Sequence, residues 1–482
     1  MFSVRSLRCA ILTGLSYVRK IKTRRPSRPP SNPRLRFRPG VEVCEAREVP
    51  ATFFWHGDRS GGYPGDPANW GLSETNPYLR ATVHPSSGDD LVFKGTVSNL
   101  GCLNLGFGTS SYNSILIANG YTGTVNTSNA LTFHSFTLAA PGTYNPSADQ
   151  TVDTAFSWTQ GTLGGPGRVM RLTGGTAAVT PGAGNTLTSG MGFSFEGSVA
   201  GTVSTGTLRF ASAKSILAVG SSVVNLTNLT ITSAVATNEP IKARGASSAP
   251  KVITEKLTAT QHGLVVEDFG TAKVVGGGTV KFGPVGAAGG PAVTASGGYL
   301  AVESGTTLDA GTNTVQITNS RLSTITKAGV NPQTATITTE LLTVQQVGDG
   351  GRSSIHIGDA IYAEDSGDFG RLFVNGSITW TGGTYHPTVN LDDPAKSDLW
   401  TAKFDFKVHG VANGSGAVIA PESAFTVPVD PAKAYYILEA GNGFQKFNAT
   451  TSVLPTITGA GWERDALTMG WGEKEWKIKK VS

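Results

Sequence analysis

The sequence predicts an all-β protein. Its fold is expected to be a right-handed parallel β-helix, or solenoid, with aromatic-rich amino- and carboxyl-terminal caps and a disordered basic amino terminus. Three observations lead there. Short runs with two apolar residues flanking an outward one recur along the chain, with Gly, Asn, Asp or Pro between them. No helical i, i+3, i+4, i+7 stripe of useful length interrupts them. One local pattern is used twice, as Trp158-Thr159-Gln160-Gly161-Thr162 and Trp380-Thr381-Gly382-Gly383-Thr384. A chain that stacks one simple β unit repeatedly reads this way.

Composition agrees. The 482 residues exceed what one ordinary core needs. Gly (62) and Pro (25) are plentiful without reaching a low-complexity level, and charged residues make up only 15%, against about 25% in ordinary soluble domains. Thr, Ser and Asn cover the surface instead. The net charge of +5 belongs to the leader: residues 1–40 hold 11 Lys and Arg and no acid, leaving 28 of the 39 cations against 34 acids. The body is thus slightly acidic, and a nucleic-acid partner is not expected. Cys9, Cys44 and Cys102 provide neither a disulfide framework nor a zinc site. No run of 18 apolar residues predicts a transmembrane helix.

Residues 1–50 read as a basic leader or export segment. An apolar run, Cys9–Val18, lies between basic flanks like a short signal h-region. Arg24-Arg25-Pro26-Ser27-Arg28-Pro29-Pro30 then predicts disorder. Residues 51–94 read as an amino-terminal cap module. Phe53 and Trp55 alternate with outward residues, Trp70 closes a Pro/Asn turn, and Leu91 and Phe93 share one face. Large aromatics suit the start of a stack, because the first rung has no neighbour to cover its interior.

Residues 95–345 read as the shaft. Ile115-Leu116-Ile117, Leu208-Arg209-Phe210, Leu229-Thr230-Ile231, Val280-Lys281-Phe282 and Leu342-Thr343-Val344 are its typical strands. Pieces this short do not make an isolated hairpin stable, but they can build a wall in which each rung pairs with its neighbours. At ~22 residues per rung the shaft would hold about 11 rungs. A string of β-sandwiches would need longer strands. Residues 346–482 read as a carboxyl-terminal β unit and cap, with Trp380, Trp400, Trp462, Trp471 and Trp476 and a charged alternating end, Lys474–Lys479. Such an edge resists further strand addition.

Two resemblances accompany these motifs. Val41-Glu42-Val43, Glu45, Arg47 and Val49-Pro50-Ala51 resemble the amino-terminal segment of large secreted planctomycete proteins, with Cys44 in place of the usual Leu. Trp55-His56-Gly57, Asp66-Pro67-Ala68-Asn69-Trp70 and Gly88-Asp89-Asp90-Leu91-Val92-Phe93 are similar to the opening module of bacterial β-solenoid surface proteins. From about residue 340 the chain resembles the terminal unit of autotransporter-type passenger solenoids, through Val374-Asn375-Gly376, Gly382-Gly383-Thr384, Ile437-Leu438 and Gly443-Phe444. The resemblance implies export and an extracellular or cell-surface location.

Candidate chemistry is sparse. Glu267 and Asp268 are the only adjacent acids between residues 200 and 345. With no acid expected one rung away, they read as solvated wall charges rather than a calcium cage or an acid/base pair. Asp392, Asp393 and Asp398 lack the order of a calcium loop and read as turn chemistry. His56, His84, His134, His262, His356, His386 and His409 show no metal-ligand spacing, although rung stacking could bring distant ones together. Gly276-Gly277-Gly278 lies between strands, not before a helix, which argues against a phosphate cradle. The expectation is therefore a structural or adhesin-like surface solenoid that is not an enzyme. It has no catalytic, cofactor-binding or metal residues and no cofactor, and its partners are surface polysaccharide or other envelope proteins. The alternative is a carbohydrate-active β-helix enzyme of the polysaccharide lyase or hydrolase type. A clustered Asp/Arg/Lys groove on one flank would separate the two.

Overall fold

A computed structural model describes residues 50–480, except 77, 107–108, 236–238, 246–249, 286–289, 326–333, 348–352, 358–369, 390–397, 409–416, 420–421, 424–433, 447–453, 459–460 and 466–470. The basic leader, with its expected disorder, lies outside the described residues.

The chain from Pro50 to Ser482 forms one compact unit. It is all-β, and its strands stack in three parallel ladders that the chain visits in turn. Ladder A starts with Thr52–Trp55 and Asp90–Lys94 and continues through segments such as 155–158, 223–227 and 299–303. Ladder B starts with Cys102–Leu105 and runs through 143–146, 207–210 and 306–309 to 438–440. Ladder C runs from 111–112 through 170–172, 216–218 and 315–318 to 444–446. Each turn of chain supplies one strand to each ladder, so this is a parallel β-solenoid with three walls. The coil continues past residue 345, since Leu342 pairs with Ile378 and Trp380 with Val408.

Register shows the rung length. Ile115 pairs with Phe136, and Phe136 pairs in turn with Phe156. Those early intervals are close to the expected ~22 residues. Further along, Val224 pairs with Val252 and Trp400 with Leu438, so a later turn of the coil takes more chain. The interval varies rather than rising steadily, since Val252 pairs in turn with Ala272.

Many strands are longer than the sequence suggests. Thr132–Pro146 and Gln150–Leu163 each pass through all three walls without a break. The chain can round a corner without leaving the ladder, and in later rungs a single residue makes the bend. At the corner from ladder A to ladder B, Thr205, Asn228 and Lys256 fall in one column, because their flanking residues pair rung to rung. All three are left-handed, with φ of 59°, 50° and 48°. One such residue bends a strand while its hydrogen bonding resumes on the next wall. The two Trp-Thr-x-Gly-Thr copies are not equivalent in this frame. Trp158 ends a ladder A segment, whereas Trp380 ends a ladder C segment. The first copy turns at Gly161, with φ of 83°, where a Cβ would meet the carbonyls of Ala140 and Gly142.

Alternation places one side of every wall inside. In-register parallel pairing then stacks like positions about 4.8 Å apart, giving one continuous core. That core is aromatic in the early rungs, where Phe136 stacks on Phe156 at 5.5 Å. It turns aliphatic in the middle, with Val224, Val252, Leu300 and Leu322, and aromatic again around Trp380, Trp400 and Phe406. Each fully buried large side chain contributes roughly 1.5–3 kcal/mol.

Antiparallel pairing occurs where the coil starts and stops. Thr52–Trp55 pairs with Trp70–Gly71, and the Trp55 and Trp70 rings meet edge to face at 4.8 Å. Their Nε1–H groups donate to the carbonyls of Leu100 and Pro64. At the other end Glu475–Lys480 pairs antiparallel with Ala434–Ala440 and with Trp462–Arg464. Among the described residues no helix is long and apolar enough to cross a membrane.

Candidate functional site

The outer face of ladder C carries a groove of about 590 Å³. Four consecutive strands build it: Val169–Leu172, Gly192–Phe195, Ile216–Val219 and Ile241–Arg244. Strand alternation sends Met170, Phe193, Ile216 and Ile241 into the core. The outward column is then Arg171, Ser194, Leu217 and Lys242, in register across the four rungs. Gly192 lets the neighbouring chain come close, since a Cβ there would meet Lys214 Cβ and the Ser215 carbonyl at 3.0 Å.

Charges frame the groove. Arg171 sits 3.0 Å from Glu196 and 3.5 Å from Asp149. The Ser194 hydroxyl donates to the same Glu196 oxygen at 2.7 Å. Lys214 pairs with Glu239 at 2.8 Å. Arg244 reaches Asp268 at 3.4 Å and Glu267 at 3.9 Å. Lys242 makes no ion pair among the described residues, and its register neighbours Leu217 and Val265 are apolar. Four cations (Arg171, Lys214, Lys242, Arg244) and two acids (Glu196, Glu239) line the space. Ser215 also lines it; only 5% of this residue is exposed, and its Oγ has no hydrogen-bond partner among the described residues. This is a column of outward side chains at the rung spacing, three of them polar, with one ammonium that has no ion pair among the described residues.

A second groove, about 410 Å³, lies on ladder B and is uncharged except for Arg168. Asn145 donates to Asn126 at 2.9 Å from the next rung, and Ser128 hydrogen-bonds Asn104. This is the amide-and-hydroxyl wall that the composition suggests.

Glu267 and Asp268 share one guanidinium, that of Arg244, as wall charges do. Asp392 and Asp393 lie outside the described residues. Asp398 is fully buried and accepts the Gly370 N–H at 2.8 Å, so it holds backbone. The Gly276 N–H donates to the Glu303 carboxylate and the Gly277 N–H to the Thr306 hydroxyl. The glycine run is therefore filled by its own chain. His134 pairs with Asp153 at 2.8 Å. His262 is fully buried, and burial lowers its pKa. His356 and His386 come together on ladder A, distant in sequence but on adjacent rungs. His409 lies outside the described residues. Among the described residues no group of three or more His, Cys, Asp or Glu is placed to hold a metal ion.

The ladder C groove escaped the sequence reading. Its charged residues are separated by whole turns of the coil, and only the rung register aligns them. The signal was available in Arg171, Lys242 and Arg244, each an outward charge within an apolar alternation.

No family model, curated protein or solved structure matches this chain. Fold and flank together define a parallel β-solenoid with a charged groove along one wall, among the described residues.

Proposed function

We propose that this protein is an exported structural or adhesin-like solenoid of the cell surface, and that it holds an acidic polysaccharide strand along ladder C. The single observation that carries the reading is the in-register column Arg171, Ser194, Leu217 and Lys242. Cations outnumber acids in the lining, and Lys242 lacks a counter-charge among the described residues. A carboxylate or sulfate on a sugar would supply one, while sugar hydroxyls would pair with Glu196 and Glu239. Contacts of this kind are individually modest and add along an extended ligand.

In this reading the coil is right-handed, as parallel crossovers nearly always are. The Trp55–Trp70 and Trp462–Trp476 regions act as its caps. Antiparallel pairing at both places supports that role, because it ends the parallel edge. Export rests on the planctomycete-like segment 41–51, and the terminal unit on its autotransporter-like motifs.

A second reading is favoured by the same flank: a groove with Glu, Arg and Lys also suits a polysaccharide lyase or hydrolase. One experiment separates them. The protein is incubated with acidic and neutral polysaccharides, with and without calcium, and both retention and chain length are followed. Retention of acidic chains without shortening supports the adhesive reading. Shortening that is lost on Glu196→Gln or Glu239→Gln supports the enzyme. Absence of retention and cleavage alike overturns both. Antibody labelling of intact cells tests the surface location.

A further inference from the structure

The outer face of ladder A carries the column Ala301, Ser323, His356 and His386, paired rung to rung. The flanking Ile355 and Tyr385 are fully buried in the core, so alternation turns both imidazoles away from it. The two rings lie face to face, with centroids 4.4 Å apart and planes within 7°. Parallel in-register pairing explains the geometry: like side chains on adjacent rungs take like directions at the rung spacing of about 4.8 Å.

We propose that His356 and His386 form a two-imidazole chelate for a divalent transition-metal ion, with water completing its coordination. Neutral imidazole nitrogen is a good ligand for copper, nickel and zinc and a poor one for calcium and magnesium. Ligand nitrogens lie about 2.0–2.1 Å from zinc, so two of them on one ion stand nearer to each other than these ring centroids do. Binding one ion therefore requires the two rings to rotate about χ2 so that their nitrogens converge. The ladder on either side fixes the two Cα positions, so little chain entropy is lost on binding. On the adjoining rung Arg321 is in register with Ser354. Its guanidinium carbon lies 5.5 Å from the Tyr299 ring, one rung further away, so it leans off the pair. The sequence expects no metal residue, because a whole turn of the coil separates these histidines. Only the rung register makes them neighbours.

The test uses the full chain and the metal ions alone. Titration calorimetry with Cu²⁺, Ni²⁺, Zn²⁺ and Ca²⁺ should give one site with copper tightest and calcium unbound. His356→Ala and His386→Ala should each weaken copper binding at least tenfold, whereas His134→Ala should not. Melting curves of the three variants show whether each has kept its fold. His386→Asn serves as the second variant should alanine disturb the ladder, and it should weaken binding equally. The electron paramagnetic resonance spectrum of the copper-loaded protein should carry hyperfine structure from two nitrogens. Unchanged affinity in folded His356 and His386 variants, or a spectrum without two nitrogens, overturns the proposal.

Discussion

The buried imidazole of His262 donates from Nδ1 to the backbone carbonyl of Glu239 at 3.0 Å. A carbonyl can only accept, so Nδ1 carries a proton. Nε2 is buried with no hydrogen bond of good geometry among the described residues, and the Phe210 ring lies 5.6 Å away. The same Glu239 sends its carboxylate to Lys214 at the rim of the ladder C groove. A core histidine thus anchors one wall of the candidate binding site.

Burial lowers the pKa of His262 below its ordinary value of 6.5, against a smaller upward effect of backbone hydrogen bonds. The unfolded chain therefore takes up the proton first as pH falls. The contribution of this group to stability is intact above about pH 6.5. It declines as pH drops from there toward the lowered folded value. Urea midpoints measured between pH 8 and pH 5 should fall on the acid side. In His262→Gln that fall should be shallower. An equal slope in both proteins would place the acid sensitivity elsewhere.

Trp380 is fully buried and packs near Trp400 at 5.6 Å. Replacing it by Ala should cost on the order of 3–5 kcal/mol. The Trp380 Nε1–H has no partner among the described residues. Trp380→Phe should accordingly cost clearly less, because it also removes an unsatisfied buried donor. Thr343→Ala, at an outward position paired with Thr379, should change stability by less than about 0.5 kcal/mol. Chemical denaturation of the three variants gives the comparison.

The left-handed corner column makes a prediction of opposite sign. A β-branched residue is strained at φ of 59°, the value at Thr205, and Lys256 stands at 48°. The left-handed region costs a non-glycine residue roughly 1–2 kcal/mol, while glycine costs about 0.5–1 kcal/mol through the unfolded chain. Thr205→Gly should then stabilise by about 0.5–1 kcal/mol. Gly276, at the same corner one rung beyond Lys256, already has φ of 90°. A lower denaturation midpoint for Thr205→Gly would show that its side chain contributes more than its backbone costs.

The all-β class and the stacked parallel strands were legible because two-residue alternation and missing helical stripes are local properties. Phe53, Trp55 and Trp70 were recognisable as core for the same reason, and all three are buried. The corners were less legible. A lone left-handed Thr205 or Lys256 gives no composition signal, so a strand that rounds a corner reads as separate pieces. What brings residues together across rungs was not legible at all. Arg171 with Lys242, and His356 with His386, depend on how many residues each corner connection takes. That count varies from rung to rung and follows no repeat in the sequence.

The last prediction concerns ladder C. Lys242 is the useful residue because it makes no ion pair among the described residues, so its removal strands no carboxylate there. Arg171→Ala would leave Glu196 and Asp149 without their shared cation and confuse binding with repulsion. A hydrogen bond to a charged group contributes about 1.5–3 kcal/mol. Lys242→Ala should therefore weaken retention of an acidic polysaccharide by roughly ten- to a hundredfold, at about 1.4 kcal/mol per decade. Ser215→Ala should leave it unchanged, because the Ser215 Oγ is closed off from solvent. Lys251→Ala, on ladder A, serves as the control of equal charge. Binding should also fall as salt rises from about 0.05 to about 0.5 M, because this half-buried ammonium on the wall surface is screened within about 10 Å at 0.1 M ionic strength. Affinity electrophoresis in gels cast with acidic or neutral polysaccharide measures all three variants side by side. Equal retardation of the Lys242 and Lys251 variants would remove ladder C from the binding surface and leave the amide wall of ladder B as the place to look.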